Sequence, residues 1–365
     1  MIPIFYNEHH SGHSLIGRFT RRHGEAHLMF LEQPKATCPP EPDDDQETPA
    51  RMAYITEALR AAGVNPLEPA RDFGRGPIEA VHDAGYLEYL EHAYADFAAQ
   101  TGQSAPVFPE AFAFRRTARR PQSRIAQRGY YGMDVYTPIT EATWEAAYWS
   151  AQTALSAADS VLNGAPLAYA LCRPSGHHAG RDFYGGYCFL NNCAIAARSQ
   201  QMRSGQRVAI LDFDFHHGNG TQDIFYESPE VVFISLHGVP DQAFPYYWGF
   251  ADETGSGAGE GANFNLPLPK GTTTAEYLAA FDRALEIMRS VDPAYLVVSA
   301  GFDIGPGDPY GGFEVDAAGM AEIGRRLGEI NRAGLPMTII QEGGYVPHQL
   351  GHYVVSFFRG MGVLS

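Results

Sequence analysis

Apolar residues recur every three or four positions across residues 51–62 (RMAYITEALRAA), a helical period that stops at Gly63. The same period predicts helical turns over 77–99, broken near Gly85, and an amphipathic helix over 143–162, closed by Asn163 and Gly164. Downstream the pattern changes. Short, nearly continuous apolar runs at 167–172, 208–211, 231–236, 295–299 and 337–340 are rich in β-branched residues, which predicts buried strands. Helical patterns over 192–203, 275–289 and 317–333 lie between them. Such alternation predicts βαβ units, and hence an α/β fold with a mostly parallel sheet covered by helices on both faces. There is no internal repeat. Residues 102–140 keep no period and set Arg115, Arg116, Arg119, Arg120, Arg124 and Arg128 among Phe and Pro. A long irregular segment with that aromatic content predicts a functional insertion rather than disorder. Residues 39–49, acidic and rich in proline, predict a solvated surface loop.

Composition narrows the picture. The 365 residues are 45% hydrophobic and 19% charged, enough to bury a sizeable core, and one α/β domain over residues 1–365 is expected. No run of eighteen apolar residues occurs, so no spanning helix is predicted, and the opening MIPIFYNEHHSGHS has no apolar signal region. Cys38, Cys172, Cys188 and Cys193 form no CxxC pair, which predicts a reducing, cytoplasmic setting. Twenty-six basic against 42 acidic residues leave a net charge of −16, a balance that predicts neither nucleic acid nor anionic membrane as partner.

Candidate chemistry collects just after the predicted strands, where ligands bind in open parallel sheets. His177 and His178 follow the first run, Asp212, Asp214, His216, His217 and Asn219 the second, His237 the third, Asp303 the fourth, and Glu342 and Tyr345 the fifth. Asp214 and His216 are two apart, so an extended backbone points both the same way, and Asp303 is the best third donor. One histidine and two carboxylates suit a catalytic Zn²⁺ with open positions, while Fe²⁺ and Co²⁺ also fit by donor type. A histidine pair fits amide hydrolysis, in which water must lose a proton and the departing amine must gain one. Asp212 and Asn219 are available to orient the two rings. Tyr345, after Gly343 and Gly344, can place a phenol against a developing oxyanion. The glycine-rich 255–261 stretch does not link a predicted strand to a helix and is no phosphate loop. His9, His10, His13, His23 and His27 read as solvated or loop-packing residues.

The motifs RPSGHHAG, GGYCFLNN, ILDFDFHHGNGTQDIFY, SLHG, SAGFD and EGGY, in this order, resemble the histone deacetylase superfamily, its bacterial acetylpolyamine amidohydrolases above all. The resemblance spans most of the chain from about residue 80. It implies an arginase-like α/β fold with a parallel sheet of about eight strands, and hydrolysis of N-acyl amides at zinc. It implies Asp214, His216 and Asp303 as metal ligands and His177 and His178 as the catalytic pair, the second as general base. Asp212 then partners His177, Asn219 partners His178, and Tyr345 stabilises the oxyanion. Tyr187 and Phe244 match the walls of the acyl tunnel, Gly186 the carbonyl that receives the substrate N–H, and Tyr310 the rim. Structural K⁺ or Na⁺ is implied at Asp212, Asp214, His216, Ser235 and Leu236, and at Phe225, Ser228 and Val231. Residues 102–140 match a loop that narrows the entrance and reaches across a homodimer.

Two departures bear on the substrate. Ser175 replaces the second proline of RPPGHH, and Ile125 and Tyr136 stand where polyamine-specific relatives carry acidic residues, with Arg124 and Arg128 alongside. The expected substrate is a small N-acyl amide, with neutral, aromatic or anionic tails preferred over acetylated polyamines. Acetylpolyamines and acetyl-lysine in proteins are the alternatives within the same chemistry. From another class comes a metal-dependent sensor that grips an acyl ligand without turnover; Tyr345 and the paired histidines weigh against it.

Overall fold

The structure, a computed structural model, describes residues 2–13, 19–22, 25–28, 47–64, 66–113 and 118–364. Ten strands form among them: β1 (Ile4–Tyr6), β2 (Phe19–Arg22), β3 (Glu25–Leu28), β4 (Glu68–Pro69), β5 (Leu167–Ala170), β6 (Val208–Asp212), β7 (Val231–Gly238), β8 (Asn263–Leu268), β9 (Tyr295–Ala300) and β10 (Met337–Gln341). Strands β2 and β3 make a separate antiparallel hairpin. The other eight form one parallel sheet in the order β4-β1-β5-β10-β9-β6-β7-β8.

The buried strands were predicted from continuous apolar runs, and the period of two explains where each side chain goes. Along β6, Ala209 and Leu211 join one core, while Val208 and Ile210 join a second core on the opposite face. Helices cover both faces, as expected for parallel strands. The helix Thr143–Leu162 has the predicted bounds, and Ala50–Ala61, Asn192–Ser204, Thr274–Val291 and Ala317–Arg332 differ from prediction by two residues or fewer at each end. The 77–99 segment breaks earlier than expected. It splits into Gly76–Glu79 and Ala84–Thr101, because Asp83 caps the second helix through the amides of Gly85 and Tyr86.

From β5 the chain passes over two strand positions to β6, continues outward to β7 and β8, then returns to fill the gap with β9 and β10. The carboxyl ends of four neighbouring strands, β5, β10, β9 and β6, therefore meet at one rim. No described helix is long and apolar enough to cross a membrane. Cys38, residues 39–46 of the acidic loop, His23, Arg115 and Arg116 lie outside the described residues, as does the side chain of His27.

Candidate active site

At this rim Asp214 and His216 follow β6, and Asp303 follows β9. His216 Nδ1 stands 3.2 Å from Asp214 Oδ1 and 3.0 Å from Asp303 Oδ2, and all three residues are buried. One donor atom from each lies within 4.8 Å of the others. The Nε2–H of His216 donates to the Tyr310 carbonyl at 3.1 Å, which turns Nδ1 toward the carboxylates. Burial pushes Asp303 up to about 7, with the Asp214 charge adding to the effect. His216 is raised to about 10, burial being outweighed by the two carboxylates. Two buried carboxylates facing one imidazole nitrogen need a proton or a cation between them. Two oxygen donors and one nitrogen donor fit a divalent metal.

The backbone here approaches the donors closely. Asp214 Oδ2 accepts from the Gly343 amide at 2.9 Å. A Cβ on Gly343 would stand 2.6 Å from Asp214 Oδ2 and 2.7 Å from Asp303 Oδ2. Gly343→Ala is therefore expected to displace both carboxylates and weaken divalent-metal affinity about 10- to 100-fold, as read by competition with a chromogenic chelator. Unchanged affinity would show that these carboxylates do not bind the metal.

The tandem histidines sit beside this trio in opposite electrostatic states. His177 Nδ1 pairs with Asp212 Oδ2 at 3.1 Å, and its Nε2 is 3.8 Å from Asp214 Oδ1. Burial opposes its charge, but Asp214 and Asp212 together raise it to about 10. His178 Nδ1–H donates to Asn219 Oδ1 at 2.7 Å, which leaves Nε2 with its lone pair. Burial drives His178 well below the ordinary histidine value, and the charges of His177 and His216 add to the shift. The 173–179 loop that carries the pair is pinned by the helix that follows. Asn191 caps Asn192–Ser204 and donates to the Ala179 carbonyl at 2.9 Å, and Asn192 donates to that of Pro174 at 3.0 Å.

Aromatic rings close the site. Phe244 meets the His178 ring edge-to-face at 5.0 Å, and Tyr187 lies 5.9 Å from Tyr345. Tyr310 packs edge-to-face on Tyr345 at 5.0 Å. Gly186, at φ 55°, lies flat against His178, where a Cβ would come within 2.2 Å of the ring. Tyr345 is buried. Its amide donates to Asp308 Oδ2 at 2.7 Å, and its phenol is held well above the usual tyrosine value, by burial first.

Several contributors escaped the sequence reading. Arg51, fully buried, donates to the carbonyls of Gly344 at 2.7 Å and Glu342 at 2.6 Å, pairs with Glu47, and stacks over the Tyr345 ring at 5.0 Å. Asp134, from the irregular segment, accepts from the Gly186 amide, and Thr137 Oγ1 accepts from that of Tyr187 at 2.9 Å. All three depend on contacts remote in sequence, for which no local signal exists.

Other candidates do not reach the site. His237 lies within β7, accepting from Ser235 Oγ and donating to the Gly249 carbonyl, both at 2.8 Å. His10 and His13 are buried loop-packing residues whose carbonyls receive Arg173, and His9 stacks on Trp149. Of the expected cation residues, Asp212 and Ser235 are register partners across β6 and β7, with Leu236 next in the strand. Ser228 donates its amide to the Phe225 carbonyl at 2.9 Å, just before Val231 opens β7.

A model of the histone deacetylase domain matches residues 45–361. The chain belongs to the histone deacetylase family. Within that family it is 43% identical to acetylpolyamine amidohydrolase 1 of Pseudomonas aeruginosa, over 86% of this chain and 90% of that one. It is 44% identical to an acetylpolyamine amidohydrolase of Burkholderia pseudomallei, over 87% and 92%, and 38% identical to histone deacetylase 15 of Arabidopsis thaliana, over 82% and 49%. The crystal structure of the acetylpolyamine aminohydrolase from Burkholderia pseudomallei superposes with a TM-score of 0.88 at 39% identity, covering 99% of both chains. The expected arginase and deacetylase fold, with its eight parallel strands, is the fold of this chain.

Proposed function

We propose that this chain is a zinc-dependent deacetylase of small N-acetylated amines, with Asp214, His216 and Asp303 holding the metal. As a hydrolase of acetylated amides it releases acetate and a free amine. The observation that carries the reading is the pair of buried histidines beside one donor trio, His177 anchored by Asp212 at 3.1 Å and His178 by Asn219 at 2.7 Å. When bound, the metal supplies Lewis-acid polarisation of the amide carbonyl and acidifies water. His178 takes the proton of the attacking water at Nε2 and returns it to the departing amine. His177, held by Asp212, balances the negative charge that grows beside it. The Tyr345 phenol donates to the carbonyl oxygen as charge develops there. Tyr187 and Phe244 flank the acyl chain, the Gly186 carbonyl receives the amide N–H, and Tyr310 lines the rim.

The reading extends to K⁺ or Na⁺ at the β6–β7 carbonyls with Ser235 and at the Phe225–Val231 turn, to one domain over residues 1–365 in the cytoplasm, and to a homodimer through 102–140. Ser235 supports the first cation, since its hydroxyl proton goes to His237 and its lone pairs stay free to coordinate. Exposed Phe112 and Tyr136 on the 102–140 segment offer surface for a second copy.

Acetylpolyamines are the second reading, favoured by the relatives so named and by one correction to the sequence analysis. Arg124 and Arg128 were expected to repel a cationic tail. Instead Arg124 pairs with Glu88 at 2.8 Å and Asp96 at 2.7 Å, and Arg128 pairs with Glu110 at 2.8 Å, so their charge is matched locally. Acetylputrescine, acetylspermidine, acetyl-lysine peptides and aromatic acetamides should be compared by kcat/KM at physiological salt, where screening acts over about 8 Å. Small acetamides are expected to exceed the peptides by at least about tenfold, because the 102–140 insertion is read as narrowing the entrance, one tenfold step being about 1.4 kcal/mol. Preference for the peptides would overturn the small-molecule assignment.

A further inference from the structure

We propose that Glu342 is a positioning residue for the histidine pair: its buried carboxylate holds the 176–178 backbone so that His177 and His178 face the donor trio. Glu342 follows β10, three residues before Tyr345, and is fully buried. Its Oε2 accepts from the amides of Gly176 at 2.7 Å and His177 at 3.3 Å, across to the loop after β5. Its Oε1 accepts from Ser299 Oγ at 3.2 Å and Cys193 Sγ at 3.3 Å.

The 173–180 loop belongs to no helix or strand, so its buried backbone groups need partners from side chains. Asn191 and Asn192 satisfy carbonyls of this loop, while Glu342 satisfies two consecutive amides. Accepted by a carboxylate, these two hydrogen bonds are charge-assisted and stronger than the same bonds to a neutral carbonyl. No Lys or Arg side chain among the described residues forms an ion pair with this carboxylate. A buried carboxylate with no Lys or Arg partner is costly even with His177 close by, and a neutral residue would fill the same space at less cost. The main-chain carbonyl of Glu342 is itself held by Arg51, which also holds Gly344. Glu342 thus ties the loop bearing the acid–base pair to the loop bearing the phenol.

The inference rests on the deacetylase reading and is tested with full-length, zinc-loaded protein. Glu342→Gln, at zinc content and melting temperature matched to wild type, is expected to lose about 10- to 100-fold in kcat, the penalty of misplacing reacting groups by about 1 Å. KM should stay within about twofold, since the acyl walls are untouched. Ser299→Ala removes only a donor to the far oxygen and should lose less than about threefold. In wild-type protein the Gly176 and His177 amides should exchange with solvent slowly although they lie outside regular structure. That measurement decides the matter if Glu342→Gln does not fold. Wild-type kcat in Glu342→Gln, a loss confined to KM, equal losses in both variants, or rapid exchange at both amides would overturn the inference. A wild-type protein that hydrolyses no acetylated amide would instead overturn the deacetylase reading.

Discussion

Stripping divalent metal from the protein with a strong chelator is expected to abolish amide hydrolysis, and Zn²⁺ or Co²⁺ to restore it. The donors are two carboxylates and one imidazole, with no thiolate among them, so a competing chelator can remove the ion. The fold should survive the loss. The Asp214 carboxylate keeps the amides of His216 and Gly343, both at 2.9 Å, and Asp303 keeps that of Phe215 at 2.9 Å. Folding and activity therefore separate: circular dichroism should be unchanged in protein whose turnover has gone. Full turnover in protein shown by elemental analysis to be metal-free would refute the metal assignment.

Tyr345→Phe is expected to lower kcat about 10²–10³-fold, or roughly 3–4 kcal/mol, the usual cost of one lost oxyanion donor. The ring itself should stay in place. Arg51 stacks on one side, Tyr310 packs edge-to-face at 5.0 Å, and Asp308 holds the backbone amide, none of which involves the hydroxyl. Because burial keeps the phenol protonated, it is a donor throughout the physiological pH range. KM should change little, since the donor acts on charge that appears only as the carbonyl is attacked. Wild-type kcat in Tyr345→Phe would leave the residue a packing role alone.

The central strands were legible because burial on both faces makes them continuous apolar runs, unlike the strands at the margins. β1 has three residues and β4 two, too few for any period, and β8 (NFNLPL) places polar Asn265 and Pro267 in an edge position that tolerates them. The helix Pro347–Met361 was missed because its interior glycines weaken a helical pattern. In the fold Gly360 lets two helices touch, since a Cβ there would stand 1.8 Å from the Ala321 carbonyl. At the site, the residues that follow strand ends in short motifs were found. Asp134, Arg51 and Glu342 were not assigned a role, because each acts on backbone brought close only by the tertiary fold. Arg51, for instance, is 293 positions from the carbonyl it holds.

The last of the described strands, β10, is also the one that joins the sheet, lying between β5 and β9. A nascent chain that ends before Met337 already contains Asp214, His216 and Asp303, yet its strands form two separate groups, β4-β1-β5 and β9-β6-β7-β8. The histidine pair belongs to the first group and the donor trio to the second. The two groups are joined in the sheet only through β10, so the catalytic centre is complete only once that strand has been made. Premature termination anywhere upstream yields a chain that holds the chemistry in its sequence and cannot carry it out.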